Sequence, residues 1–317
     1  MDHTVSRRAA LAAVAGSLVA PRAAFAQPHV TAMTVAGLPE DSATPVLYGI
    51  DSGAFRRGGL DVSIKVQRNG SAVASGVAGN TYQIGKSSLP PLIDAHAHGI
   101  PFVIVAPGGL STANHPIAGL MVLADSPIKT AADLNGKSIA VGSLNDIFTL
   151  AMKTWMDKNG GDASSLKLVE IPSSAIGEAI ETGRVAAGSA NEPILSGALA
   201  SGKLRILART FDAISPRFMF TAWFTTRTYA QQNRAAVESF ARIVRSSASY
   251  VNAHHAETAE AISKFSGIEP AVVRRMSRTE AATTIETSLI QPVIDISVHY
   301  RDIPARFDAK ELIWSGA

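Results

Sequence analysis

Short runs of apolar and β-branched residues alternate with helix-compatible stretches along most of this chain. VTAMTVAG begins at Val30, a helical stretch covers residues 46–55, DVSIKVQ begins at Asp61, a helix begins near Ser71, and TYQIG begins at Thr81. PFVIVAPGG from Pro101, GLMVLA from Gly119, SIAV from Ser138, a helix over 145–158, LKLVEI from Leu166 and LRILA from Leu204 continue the pattern. Strands separated by helices cannot be joined by tight hairpins, so this rhythm predicts an α/β chain with mainly parallel, doubly wound sheets. Beyond Arg227 the pattern turns almost wholly helical. At 317 residues the length suits two domains better than one. A composition 46% hydrophobic and 17% charged excludes a disordered chain.

Residues 1–27, MDHTVSRRAALAAVAGSLVAPRAAFAQ, have the layout of a bacterial signal peptide: a charged start, an apolar run over 9–20, and Ala-Phe-Ala ending at Ala26. The run is too short and too rich in Ala and Gly for a spanning anchor. Ser6-Arg7-Arg8 before Leu11 resembles a twin-arginine export signal, although Ala10 stands where Phe is usual. The expected product is a soluble periplasmic protein cleaved near Ala26. The net charge of +3 shrinks to +1 without this leader, and no Lys/Arg run or basic stripe with interleaved aromatics exists. Nucleic acid is therefore not an expected partner. With no cysteine, thiolate metal sites, thiol nucleophiles and disulfides are excluded. No cofactor is expected: neither a P-loop nor a dinucleotide fingerprint is visible.

Two segments rich in turn formers, GGLSTANHP over 108–116 and TFDAISP over 210–216, are hinge candidates. DSGAFRRGGLDV over 51–62 behind a helix with Tyr48, SPIKTAADLNGKSIAV over 126–141, GRVAAGSANEP ending at Pro193, and YVNAHHAETAEAISKFSGIEPAVV from Tyr250 occur in that order. Together they resemble the solute-binding proteins of ABC importers in the nitrate, sulfonate, taurine and thiamine-pyrimidine-precursor group. The resemblance spans residues 30–276. It implies a type II periplasmic-binding-protein fold, two doubly wound lobes joined by two crossovers. Lobe one would be 28–113 plus 215–317 and lobe two 114–214. It also implies a monomer that takes a small solute to an inner-membrane ABC permease.

Ligands of such folds sit beyond the carboxyl ends of strands, where loops and helix N-termini converge. Four loops qualify here: 38–44, 85–88, 142–146 and 189–192. They offer Ser42, Lys86, Ser87, Ser143, Asn145, Asn191 and Glu192 as ligand-binding candidates, with the resemblance carrying Ser143, Asn145 and Asn191. Tyr48, after the first loop, is the stacking candidate. Trp223, in the strand-like FMFTAWF, joins the set although core filling is its commoner use. Lys86, the one cation among the four loops, leads to the expectation of an anionic head group such as a sulfonate or carboxylate.

PPLIDAHAHG over 90–99 competes with this reading, because it resembles the opening signature of metal-dependent amidohydrolases, with Asp94, His96 and His98. A metal centre needs further ligands, and His29, His115, His254, His255 and His299 supply no second strand-end pair. The segment also falls on a helix of the binding-protein pattern, where residues two apart do not share a face. No G-x-S-x-G elbow supports a serine hydrolase, and enzymes of the binding-protein fold that depend on cysteine are excluded. The chain is expected to bind rather than to catalyse.

Overall fold

A computed structural model describes Met1 and residues 30–316, so the export leader expected over 1–27 falls outside the described residues apart from Met1. The chain begins β1 (Thr31–Gly37), α1 (Thr44–Asp51), α2 (Ala54–Arg57), β2 (Leu60–Val66), α3 (Gly70–Ala78), β3 (Ile84–Ser88), α4 (Leu89–Ala97), β4 (Phe102–Pro107) and β5 (Gly109–Thr112). Next come β6 (Ala118–Leu123), β7 (Ser138–Val141), α5 (Ile147–Lys158), β8 (Lys167–Glu170), α6 (Ile176–Glu181), β9 (Ala187–Asn191), α7 (Ile194–Leu199) and β10 (Leu204–Ala208). It ends with β11 (Arg217–Met219), β12 (Thr221–Thr226), α8 (Arg227–Gln232), α9 (Arg234–Ala253), α10 (His255–Ser266), α11 (Pro270–Val273), β13 (Glu280–Ala281) and α12 (Thr287–His299).

Two five-stranded sheets with helices packed against them make two α/β lobes. The first sheet has the order β2-β1-β3-β12-β4 and the second β10-β6-β9-β7-β8. In each, the strands linked through helices are parallel: β1 with β2 and β3, and β7 with β8 and β9. The late strand β12 enters the first sheet antiparallel between β3 and β4. Every residue of β4 is buried, as a strand covered on both faces requires.

The chain passes from the first sheet to the second between β5 and β6 and returns between β10 and β11. The connections run side by side: β5 pairs with β11, and Ala113 N donates to Pro216 O at 3.2 Å. The segment 108–116, expected to be turn-rich, thus contains a strand. Its glycine at 108 is needed for close approach, since a Cβ there would lie 2.2 Å from the Thr221 carbonyl oxygen.

Each lobe buries its own apolar layers. In the first, α9 presents Val237, Phe240, Ala241, Val244, Ala248 and Val251 along one face. Phe240 stacks on Phe55 at 5.4 Å and meets Trp223 edge-on at 5.7 Å. In the second, Met152 and Met156 of α5 fill one side of the sheet and Ile176 and Ile180 of α6 the other. Phe148, Phe211, Phe218 and Phe220 join the lobes through one aromatic cluster.

Candidate cleft between the lobes

Two cavities share the space between the lobes. The larger, about 760 Å³, is walled by Leu38, Glu40, Val66 and Arg68 on one side and by Ser173, Asn191 and Ile194 on the other, with Phe265 and Ile268 closing an end. The smaller, about 20 Å³, lies among Glu40, Arg68, Gly70 and Ser88 of the first lobe and Gly142, Ser143, Asp146 and Ser173 of the second. Leu38, Glu40, Arg68 and Ser173 border both. Hydrogen bonds cross between the lobes around this space: Asn145 Nδ2 donates to Asp94 Oδ2 at 3.0 Å, Asn69 Nδ2 to Glu170 Oε1 at 3.4 Å, and Asp41 N to Glu192 O at 3.3 Å.

Three helices start at the inner cavity. Asn69 caps α3, its Oδ1 accepting from Ala72 N at 2.9 Å, and Asp146 caps α5, its Oδ1 accepting from Thr149 N at 2.8 Å. The third, α4, begins Leu89-Pro90-Pro91; Leu89 N donates to Phe220 O, and the prolines have no N–H to offer.

The structure divides the residues singled out from sequence. Ser143 borders the inner cavity, and Asn191, buried at the end of β9, borders the outer one. Asn145 points instead toward Asp94 on α4. Lys86 corrects an expectation. The third strand is Ile84–Ser88, starting three residues later than TYQIG suggests, so Lys86 and Ser87 lie within the sheet rather than on a loop. Lys86 is fully buried, its Nζ held by Glu40 Oε2 at 2.7 Å and Ser42 Oγ at 2.8 Å. Ser42 is thereby committed to Lys86, and Ser87 is buried with no hydrogen-bond partner for its hydroxyl. Tyr48 borders neither cavity; it stacks on Tyr250 at 4.3 Å, which in turn stacks on His254 at 3.9 Å. Trp223 is a core residue facing α9, because strand alternation turns it away from the cleft.

Arg68, Gly70 and Ser173 lie outside the four expected loops and were missed as lining residues, whereas Ser88 and Asp146 fall within the loops 85–88 and 142–146 but were not singled out as ligand contacts. The run VQRNGSA carries the usable signal: a strand followed by Asn-Gly at a helix start marks a cap position, and caps at strand ends face clefts in this architecture.

A family model described as NMT1/THI5 like matches residues 41–258, well over half of the chain. The chain belongs to this family. An Escherichia coli (strain K12) protein named for binding aliphatic sulfonates is 23% identical over 237 residues, covering 73% of this chain and 72% of the relative. Among solved structures, the periplasmic aliphatic sulphonate binding protein SsuA of Escherichia coli superposes with a TM-score of 0.71 at 20% identity, covering 90% of this chain and 97% of that one. The Xanthomonas axonopodis pv. citri alkanesulfonate-binding protein SsuA, bound to MOPS, gives 0.74 at 16% identity with 90% and 98% covered. The nitrate-binding protein NrtA of Synechocystis PCC 6803 gives 0.74 at 14% identity with 89% and 85% covered. At these identities the likeness is one of fold, and it places the NMT1/THI5-like chain among periplasmic binding proteins in architecture.

Within this family member the cleft is rich in acids. Asp41 is neutralised by Arg278, whose Nε lies 2.9 and 3.0 Å from its two carboxylate oxygens, and accepts from Thr279 N at 2.7 Å. That pair ties the loop after β1 to the segment following α11. Burial pushes the Asp146 carboxyl up to about 7, against the lowering effect of its hydrogen bonds from Thr149, with Glu40 adding repulsion. Burial likewise pushes Glu192 up to about 7, although it accepts from Ser196 N at 3.1 Å and from Ser196 Oγ at 2.8 Å. Arg68 is exposed and makes no ion pair with any described carboxylate.

The hydrolase motif does not assemble. His96 and His98 sit on α4 and at its C-cap, on different sides. His96 packs against Phe307 and approaches Glu311 Oε2 at 3.4 Å, whereas His98 Nδ1 lies 3.0 Å from Asp94 Oδ1. Among the described residues no group of three or more His, Cys, Asp or Glu is placed to hold a metal ion.

Proposed function

We propose that this protein is the solute-binding component of an ABC importer, capturing a small organic solute in the periplasm between its two lobes and presenting it to an inner-membrane permease. The observation that carries the reading is the pair of adjoining cavities walled by both lobes, which lets one solute touch both at once. Contacts from both sides favour closure over the open form, the differential affinity that a population shift requires. The lobes are taken as residues 28–113 with 215–317 and residues 114–214, with hinges at 108–116 and 210–216. Ser143 and Asn191 are proposed ligand contacts, joined by Arg68, Ser88, Asp146 and Ser173. Relatives named for sulfonates and nitrate support transport of a small polar or charged solute. The outer cavity is large enough for an organic body, so a bare inorganic ion would leave most of it unfilled. Among the described residues no helix is long and apolar enough to cross a membrane, which suits a protein released after export.

The test is to purify the protein from its native periplasm, denature it, and identify released small molecules by mass spectrometry. The released compound, added back to refolded protein, should bind at 1:1 stoichiometry by calorimetry and should contract the small-angle scattering profile. If no compound is released, and none of a panel of periplasmic nutrients binds or changes the profile, the reading fails.

A further inference from the structure

The outer chamber is walled largely by hydrocarbon. Val66 is 52% exposed, and Leu38, Ile194, Phe265 and Ile268 are half-buried, all of them lining the cavity. Hydroxyls in the same wall are already engaged: Ser266 Oγ donates to Ile262 O at 2.7 Å and accepts from Ile268 N at 3.3 Å, and Ser201 Oγ donates to Glu181 Oε1 at 3.0 Å. Polar groups gather instead where the chamber joins the inner cavity, at Glu40, Arg68 and Ser173. One residue closes the opposite end. Helix α10 stops at Gly267, whose φ of +75° is the left-handed conformation that turns the chain, and the turn carries Ile268 across to the second lobe. Ser263 Oγ pins that turn by donating to Ile268 O at 2.6 Å. Opposite stands Gly197 of α7, where a Cβ would lie 2.9 Å from Ile268 Cδ1, so the missing side chain lets Ile268 reach the far wall.

Resting on the solute-binding reading above, we infer that the outer chamber is a tail pocket for an amphipathic solute whose polar head lies at the junction with the inner cavity, and that Ile268 and Phe265, set against Gly197, fix the length of apolar tail it accepts. At about 760 Å³ the chamber has room for on the order of twenty water-sized groups, so a two-carbon body would leave most of its apolar wall wet. Each CH2 added to a tail covers more of that wall until the tail meets Ile268. A longer tail must fold back or hold the lobes apart, because Ile268 of the first lobe touches the second. Phe265, on the last turn of α10, backs the same end. Both side chains pack against the buried cluster of Leu47, Ile262 and Val273, which makes the stop firm.

Straight-chain alkanesulfonates, alkanoates and alkylamines of graded length, from about two to about twelve carbons, titrated calorimetrically into the full protein, test this without presuming the head. In at least one series affinity should rise about three- to four-fold per CH2 and break at a definite length of about six carbons or more. Ile268→Ala should move the break outward by about two carbons, Phe265→Ala should move it the same way, and Ile268→Leu should leave it in place. Packing lost for structural reasons alone would lower all affinities together without moving the break. Affinity that does not change with tail length, a tightest binder at the short end of the series, or a break that stays put in both alanine variants overturns the inference. If no series binds while the compound released from the native periplasm binds and contracts the scattering profile, the tail pocket is refuted and the solute-binding reading stands; a protein that binds neither loses both.

Discussion

The buried Glu40–Lys86 pair and two carboxyls pushed upward by burial, Asp146 and Glu192, shape this protein's behaviour at the scale of single residues. Lys86→Met should leave Glu40 buried without its counter-charge, and breaking a buried pair this way costs about 3 to 5 kcal/mol. Urea unfolding should register that loss directly, and a variant as stable as the parent would show that the pair contributes nothing. Asp146 and Glu192 both titrate higher in the folded chain than free carboxyls do. The folded state therefore binds more protons than the unfolded state between about pH 4 and pH 7. Stability should accordingly fall as pH rises through that window, and Asp146→Asn with Glu192→Gln should flatten the fall. Denaturation midpoints at pH 5 and pH 8 check the sign; a parent protein more stable at pH 8 contradicts it.

At the scale of elements, α7 and the turn after α10 meet across the cleft at Gly197. A Cβ on Gly197 would lie 2.9 Å from Ile268 Cδ1, so the glycine permits the lobes to approach at this edge of the outer chamber. Gly197→Val should wedge that edge, weakening solute binding by about 10-fold or more while unfolding near the parent temperature, because overpacking at a contact between lobes is relieved by opening them. An affinity equal to that of the parent would mean that α7 does not need to reach Ile268. The helix α4 carries the second element-level expectation. Replacing His96 and His98 together with Ala should leave solute affinity within about two-fold, since these side chains engage Phe307, Glu311 and Asp94 rather than the cavities. Binding lost in the double variant, together with metal found by elemental analysis of the parent, would revive the hydrolase motif.

For the molecule as a whole, the proposed function has the two lobes moving as units about two neighbouring strand connections. The aromatic cluster of Phe148, Phe211, Phe218 and Phe220 spans them, and Tyr300 Oη donates to Asp157 Oδ2 at 2.8 Å between α12's end and α5. If the lobes close as proposed, contacts this close to the connections should persist while the far edges separate, as in a hinge rather than a shear. Phe211→Ala should therefore destabilise the protein by about 3 to 5 kcal/mol and broaden its thermal transition as the lobes uncouple. A single transition as sharp as the parent's would show that the cluster does not couple them.

The α/β class, the order of most strands and the start of α5 were legible in the sequence, because alternation of apolar runs and cap residues such as Asp146 are local signals. The family was legible too, since its motifs keep their order along the chain even where each is soft. Where β3 begins was not: three residues of register decided whether Lys86 stood on a cleft loop or inside a sheet, and neighbouring strands β1 and β12 set that register. The partner of Lys86 lies 46 residues away, and that of Asp41 lies 237 residues away. Charge in a cleft is a sum over such pairs, so the composition of the loops alone could not give its sign. Only the folded chain shows which acids are neutralised and which side chains line the cavity between the lobes.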